Sequence, residues 1–304
     1  MSNVIFRGMD GSNPLGFLAA MGAFRLVDLI WPTERIRLRW VRDGAWRPDV
    51  LGMPVGGEEL CTVLHERAPW SPLEVFEELG ANLTVRREVF GNVVRNAARG
   101  ATTEDRRAAE FAAAFGCDVL DDKEKDRIGY TDLCFITGSG HQDFLGTARD
   151  LARKTSAEHL REALFGPWRY ADPKLSMRWD PTDAREYALR WADPGPEGVY
   201  SVWGATRLAF EALPFFPVLP TGKRPRTAGF CMRNRAHEFT WPIWTNAVGA
   251  DVARSLVALK ELEPETPDRA VLSEMGIAEI FRAQRVRIGQ GKNFKVSFRP
   301  ARAV

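Results

Sequence analysis

Apolar positions along the chain change period several times, and each change marks an expected element. Residues 4–8, VIFRG, read as a short strand. From position 14, PLGFLAAMGAFRLVDLIW places apolar side chains at 15, 18, 19, 22 or 23, 26 and 29–30, which predicts a helix. Asn13 followed by Pro14 predicts its start, with an N-cap residue and then proline at the first helical position; Pro32 ends it. Gly16, Ala19, Ala20, Gly22 and Ala23 make part of this helix small, so another backbone can approach closely. Residues 35–48 alternate strictly, with Arg35, Arg37 and Arg39 on one side and Ile36, Leu38 and Trp40 on the other. That pattern predicts a half-exposed strand, and Asp43-Gly44 can close a hairpin.

Further along, the pattern predicts a short helix at 58–68, the start of another at 72–80 and partial helix within 81–115. A strand is expected through 131–137, then a helix over 143–153. The next helix, 156–165, takes Ser156 as N-cap and stops at Gly166-Pro167. Residues 168–198 carry Asp-Pro steps at 172, 180 and 193, a proline density that disfavours long helix. Turns and short strands carrying Trp168, Trp179 and Trp191 are expected there. Residues 202–216 predict a helix ended by Pro214. TGKRPRTAGFCM predicts a basic loop feeding a strand, Asp251 is expected to cap a helix over 251–262, and 267–288 predict a helix and then a strand. Both kinds of element are interspersed without a βαβ rhythm. The expected fold class is α+β, with mixed short strands and helices, compact and not doubly wound. The expected division is an N-terminal α+β domain at 1–155 and a C-terminal basic α+β domain at 156–304, with a single domain as the alternative.

Charge distribution adds a partner class. The net formal charge is only +2, yet residues 222–304 carry 15 Lys+Arg against 8 Asp+Glu. Within 282–304 there are seven basic residues and no acidic one, which points to a polyanion at the C-terminal end. Apolar residues make up 45% of the chain, ample for a core, but no run approaches the roughly 18 needed for a membrane helix. The start has no basic segment followed by an apolar stretch and a small-residue cleavage site, so a cytoplasmic protein without a membrane partner is expected. Cys61, Cys117, Cys134 and Cys231 are widely spaced, which predicts buried reduced thiols rather than a zinc or redox pair.

Candidate chemistry concentrates in two places. The loop Gly138-Ser139-Gly140-His141-Gln142-Asp143 lies between an apolar run and a helix start. His141 and Asp143 are candidates for a base and its orienting carboxylate, as in a hydrolase or nuclease. Ser139 lacks a nucleophile-elbow frame. The alternatives are an anion contact through loop amides with Ser139, His141 and Gln142, or simple helix capping. The second place is basic: Lys223, Arg224 and Arg226 in a proline-stiffened loop, then Arg285, Arg287, Lys292, Phe294 and Lys295 near the C-terminus. Cations interleaved with an aromatic suit phosphate contact with base stacking, whereas a solvated edge strand is the simpler alternative. Arg35, Arg37 and Arg39 form another cationic face. The carboxylates between Asp118 and Asp126 are interleaved with cations and read as a solvated turn, so no metal and no cofactor are expected.

The run GMDGSNPLGFLAAMGAFRLVD at 8–28 resembles the start of large-subunit proteins of CRISPR–Cas type I systems, subtype I-U, also called I-G. The matching positions are Pro14, Leu15, Phe17 or Leu18, Ala20, Gly22, Phe24, Arg25, Leu26 and Val27. EHLREALFGPWRYADP and the later LRWADP are similar to sequences of the same gene neighbourhoods. The resemblance implies a non-catalytic subunit of an RNA-guided surveillance (Cascade) complex, hetero-oligomeric with other Cas proteins. Such a subunit contacts guide RNA, the protospacer-adjacent motif and displaced target DNA, and helps recruit a separate helicase–nuclease. The resemblance transfers no catalytic residue. A structural subunit that buries only protein surfaces is a further alternative.

Overall fold

The computed structural model describes residues 2–118, 126–137, 142–183, 200–222, 224–288 and 294–304. Ser139, His141, Lys223, Lys292 and Trp191 lie outside the described residues, as do the charges at 119–125. The fold is α+β.

The chain begins with β1 (Ser2–Ile5), α1 (Pro14–Ile30), β2 (Arg37–Asp43) and β3 (Ala45–Met53). The strands form an antiparallel sheet in the order β1-β3-β2. Opposed residues share a face, so Val4, Leu38, Trp40 and Val50 point into the core and leave Arg37 and Arg39 outside. Gly44 alone separates the paired Asp43 and Ala45, at φ 69°, a conformation a Cβ disfavours. Asn13 caps α1 as its sequence implies: Oδ1 accepts from the N–H groups of Leu15 at 2.8 Å and Gly16 at 3.2 Å.

Next come α2 (Gly57–Arg67), a 3₁₀ turn at Leu73–Leu79, α3 (Arg87–Arg99) and α4 (Arg107–Phe115). A two-residue ladder joins β4 (Gly116–Cys117) to β5 (Gly129–Tyr130). The strand expected at 131–137 does not form. Residues 131–136 run irregularly, held by side chains such as the Trp179 indole, whose N–H donates to the Leu133 carbonyl at 2.8 Å. Then follow α5 (Phe144–Lys154), α6 (Ala157–Phe165), the short pair β6 (Asp172–Pro173) and β7 (Tyr200–Ser201), and α7 (Trp203–Phe210). Helix α7 ends before Pro214, which sits in a separate 3₁₀ turn, Leu213–Phe215.

The expected basic loop is itself a hairpin, β8 (Val218–Thr221) and β9 (Arg224–Thr227). The larger sheet is built by β10 (Phe230–Arg233), β11 (Ala236–Trp244), β12 (Ile277–Ile288) and β13 (Lys295–Phe298), in that order, with β14 (Arg302–Ala303) also on β12. Between β11 and β12 lie α8 (Ala250–Val257) and α9 (Arg269–Glu274). Gly249, not Asp251, is the N-cap of α8; Asp251 lies in its first turn, where its charge favours the helix dipole.

Strand β11 alternates in sequence, with Phe239, Trp241 and Ile243 between Glu238, Thr240 and Pro242, yet Glu238 through Trp244 are buried on both faces. Pro242 argues against a central strand. The structure tolerates it because β10 reaches only to Phe239, so Pro242 has no β10 residue beside it.

Helix α1 is buried over its whole length from Pro14 to Val27 rather than along one stripe. Its small residues act as expected. A Cβ on Gly22 would stand 1.7 Å from the Leu208 carbonyl oxygen, so α1 and α7 meet backbone to backbone. Phe17 on α1 stacks on Trp40 at 5.7 Å and on Trp241 at 5.6 Å, joining both sheets in one aromatic layer. The apolar core draws residues from both sides of position 155. Among the described residues, no helix is long and apolar enough to cross a membrane. Cys61 and Cys134 are buried, whereas Cys117 and Cys231 are partly exposed.

Candidate nucleic-acid interface

Arg285, Arg287 and Lys295 lie toward one end of the larger sheet. The β10–β11 and β12–β13 connections both turn there, since consecutive strands are antiparallel. His237, Arg285 and Phe298 are opposed across three strands, and Arg287 is opposed to Val296. Arg285 and Arg287, two residues apart, share the face that carries Phe239 and Trp241 farther in. Lys295 pairs with Ile288 and falls on the other face.

Arg287 is exposed, and its guanidinium lies 4.5 Å from the centre of the Phe294 ring. Lys295 and Arg224 are exposed too. Among the described residues, no carboxylate pairs with Arg224, Arg287 or Lys295.

Arg285 occupies a different environment. Its guanidinium lies 5.2 Å over Phe135, and its Nε is buried without a hydrogen-bond partner. Burial pushes the Arg285 pKa down, against the pull of Asp132. Beside it, His237 Nε2 stands 3.5 Å from Asp132 Oδ1, and the His237 ring packs on Phe230. Burial lowers the His237 pKa, Asp132 opposes the shift and Arg285 adds to it. Asp132 is fixed by Thr227, whose hydroxyl accepts from the Asp132 N–H at 2.7 Å. Cys134 is close by in sequence, but burial raises its thiol to about 12, so it stays protonated at neutral pH. A histidine–carboxylate pair is thus present without an activated thiol beside it.

The hairpin β8–β9 divides its cations. Arg224 is exposed, whereas Arg226 is ion-paired to Glu263 and donates through Nε to the Phe230 carbonyl at 3.2 Å. Arg226 therefore commits its charge within the protein. On the smaller sheet, Arg39 is likewise bound to buried Asp49 at 2.9 Å, while Arg35 and Arg37 are exposed.

The loop before α5 is described from Gln142 onward. Gln142 accepts a hydrogen bond from Arg178 Nη2 at 2.7 Å. Asp143 occupies the N-cap position but does not cap; it accepts from the Asn82 side-chain amide. Asn82 Oδ1 takes the Phe144 N–H at 3.0 Å, and the Ala81 carbonyl takes those of Leu145 and Gly146 at 2.9 and 3.2 Å. The start of α5 is thus capped from the chain at 81–82, and these amides are not free for an anion.

Among the described residues, no group of three or more His, Cys, Asp or Glu is placed to hold a metal ion. Sequence reasoning overlooked His237, Asp132 and Arg235. His237 and Arg235 lie at the start of β11 and in the turn before it, and Asp132 in a segment without regular structure. The sequence signal that was available is the cluster Arg233-Asn234-Arg235 just before His237.

Comparison with models of known protein families finds no match to this chain. Comparison with curated protein sequences finds no match either.

Proposed function

We propose that the chain is a non-catalytic nucleic-acid-binding subunit of a type I CRISPR–Cas surveillance complex. In this reading it contacts guide RNA or target DNA, including the protospacer-adjacent motif, sits among other Cas subunits and helps recruit a separate helicase–nuclease. The complex assignment rests on the resemblance of residues 8–28 and of the segments at 158–173 and 189–194. The nucleic-acid reading rests on one observation above all: the guanidinium of exposed Arg287 lies 4.5 Å over the Phe294 ring, next in sequence to Lys295, without a carboxylate partner among the described residues. A planar cation on an aromatic ring offers both charge for a phosphate and a π surface for a base.

The test has two arms. Binding of the purified chain to labelled single-stranded and duplex oligonucleotides is measured as salt is raised. The expected affinity falls linearly on a log–log plot, with a slope that counts the phosphates neutralised. A flat response, or no binding at low salt, overturns the nucleic-acid reading. Affinity purification from a host with the neighbouring genes should recover a small RNA and partner subunits; recovery of the chain alone overturns the complex assignment.

A further inference from the structure

The β10–β11 hairpin closes through only Asn234 and Arg235, between the paired residues Arg233 and Ala236. Both have positive φ, 46° and 65°. Two successive left-handed residues mark a type I′ turn, whose twist suits the flanking strands. Asn-Gly is the favoured pair there, because glycine has no Cβ to clash with its own carbonyl. An exposed arginine holds glycine's place in this chain. Local stability favours glycine at 235, so the arginine calls for another reason.

Strand register supplies one. His237 pairs with Arg285. The ladder ends at this pair, so the turn residue Arg235 lies at the same end of the sheet as the stretch of β12 that continues to Arg287. The next connection returns at this end, bringing Phe294 and Lys295 with it. The neighbouring carboxylates are engaged. Glu265 accepts from the Asn234 side chain at 3.5 Å, Glu238 is bound by Arg233 and Arg302, and Asp132 faces His237. Arg235 has no ion pair among the described residues. Met232, 63% exposed, adds an apolar contact on the face of His237.

We infer that Arg235, Arg287 and Phe294 form a binding site for single-stranded nucleic acid at this end of the sheet. The inference rests on the nucleic-acid reading above and names its ligand and an additional contact residue. Cations gathered at one end of a sheet repel one another, and a phosphate between them removes that repulsion. The Arg287 guanidinium already covers Phe294, and a base adds to the stack only if its own face is free. Unpaired strands offer such faces; a duplex does not.

The test compares the full-length chain with Arg235→Gly, Arg235→Lys and Arg287→Ala. Each is titrated with a fluorescein-labelled oligothymidylate and with a duplex of mixed sequence. Arg235→Gly relieves the turn, so its Tm should rise by about 2 °C while single-strand affinity falls about three- to tenfold. Arg235→Lys should keep most of the affinity without the gain in Tm. A Gly variant with unchanged single-strand affinity overturns the role of Arg235 and leaves the general nucleic-acid reading intact. Duplex binding as tight as single-strand binding overturns the choice of ligand. A wild-type chain that binds neither probe overturns the general reading and this inference together.

Discussion

The indole N–H of Trp241 donates to the carbonyl of Gly11 at 2.8 Å, across 230 positions of sequence. Trp241 is fully buried in the larger sheet, and Gly11 lies in the turn that leads into α1. Trp244 repeats the relation three residues later, donating to Leu38 on β2 at 2.9 Å. The C-terminal sheet is thereby fastened to the N-terminal turn and to β2. Trp241→Phe removes the donor and leaves a buried carbonyl unpaired beside a void. The expected loss is about 2–3 kcal/mol, read from the urea midpoint.

The contact of α1 with α7 allows no side chain at position 22. Gly22→Ala would drive a methyl group into the Leu208 carbonyl, which is backbone and cannot swing aside. The expected loss is about 3 kcal/mol, large for one methyl group, because overpacking against backbone forces a helix to shift. Thermal unfolding followed by circular dichroism checks it; an unchanged Tm would show that the two helices do not meet this closely.

Glu211 joins a buried ionic cluster. Its carboxylate is fully buried, 3.2 Å from Arg207 and 3.7 Å from Arg25, and it accepts the Ser71 N–H at 3.0 Å. Glu211→Gln leaves Arg207 buried without its counter-charge and should cost about 3–5 kcal/mol. The double change Arg207→Met with Glu211→Leu should recover much of that loss, since the desolvation of both ions disappears. Arg25 keeps Glu110 at 2.8 Å in either variant. Chemical denaturation of the three proteins tests the pattern.

His237 should make stability pH-dependent. Burial holds its pKa below the ordinary value of 6.5, so the folded chain keeps the imidazole neutral longer than the unfolded chain does. The unfolded state therefore binds more protons as pH falls through about 6.5, and the equilibrium moves toward it. The contribution is fully present above that pH and is lost toward the lower folded pKa. Tm measured between pH 7.5 and 5.5 should fall more steeply in the wild type than in His237→Asn. Parallel curves would contradict the assignment.

Phe294 should matter to binding more than to folding. It is half-buried at the edge of the core and carries the Arg287 guanidinium. Phe294→Ala should weaken single-strand binding by about 1–3 kcal/mol, the range found for one stacked base. Arg287→Ala should also lower the salt slope by about one. Fluorescence anisotropy at several salt concentrations separates the two effects.

Local physics made much of the fold legible in the sequence. Asn13-Pro14 marks the start of α1 because an N-cap oxygen and a proline ring act within one helical turn. The alternation at 35–40 marks a half-exposed strand because one face meets water. The small residues of α1 announce a close backbone approach, although only the fold shows α7 as the neighbour. The alternation of Phe239, Trp241 and Ile243 with Glu238, Thr240 and Pro242 marks strand β11, but its burial on both faces comes only from the fold. Charge behaved similarly. Composition located the basic C-terminal region, but which cations stay available depends on partners distant in sequence. Arg226 is neutralised by Glu263, Arg285 is half-buried over Phe135, and Arg287 remains exposed on Phe294. The start of α5 is capped by Asn82, a residue no window around the loop contains. Sequence alone determined where α1 and α6 begin and where positive charge accumulates, since both depend on near neighbours. Tertiary structure alone decided which charges are compensated, because ion pairing and burial depend on contacts in space.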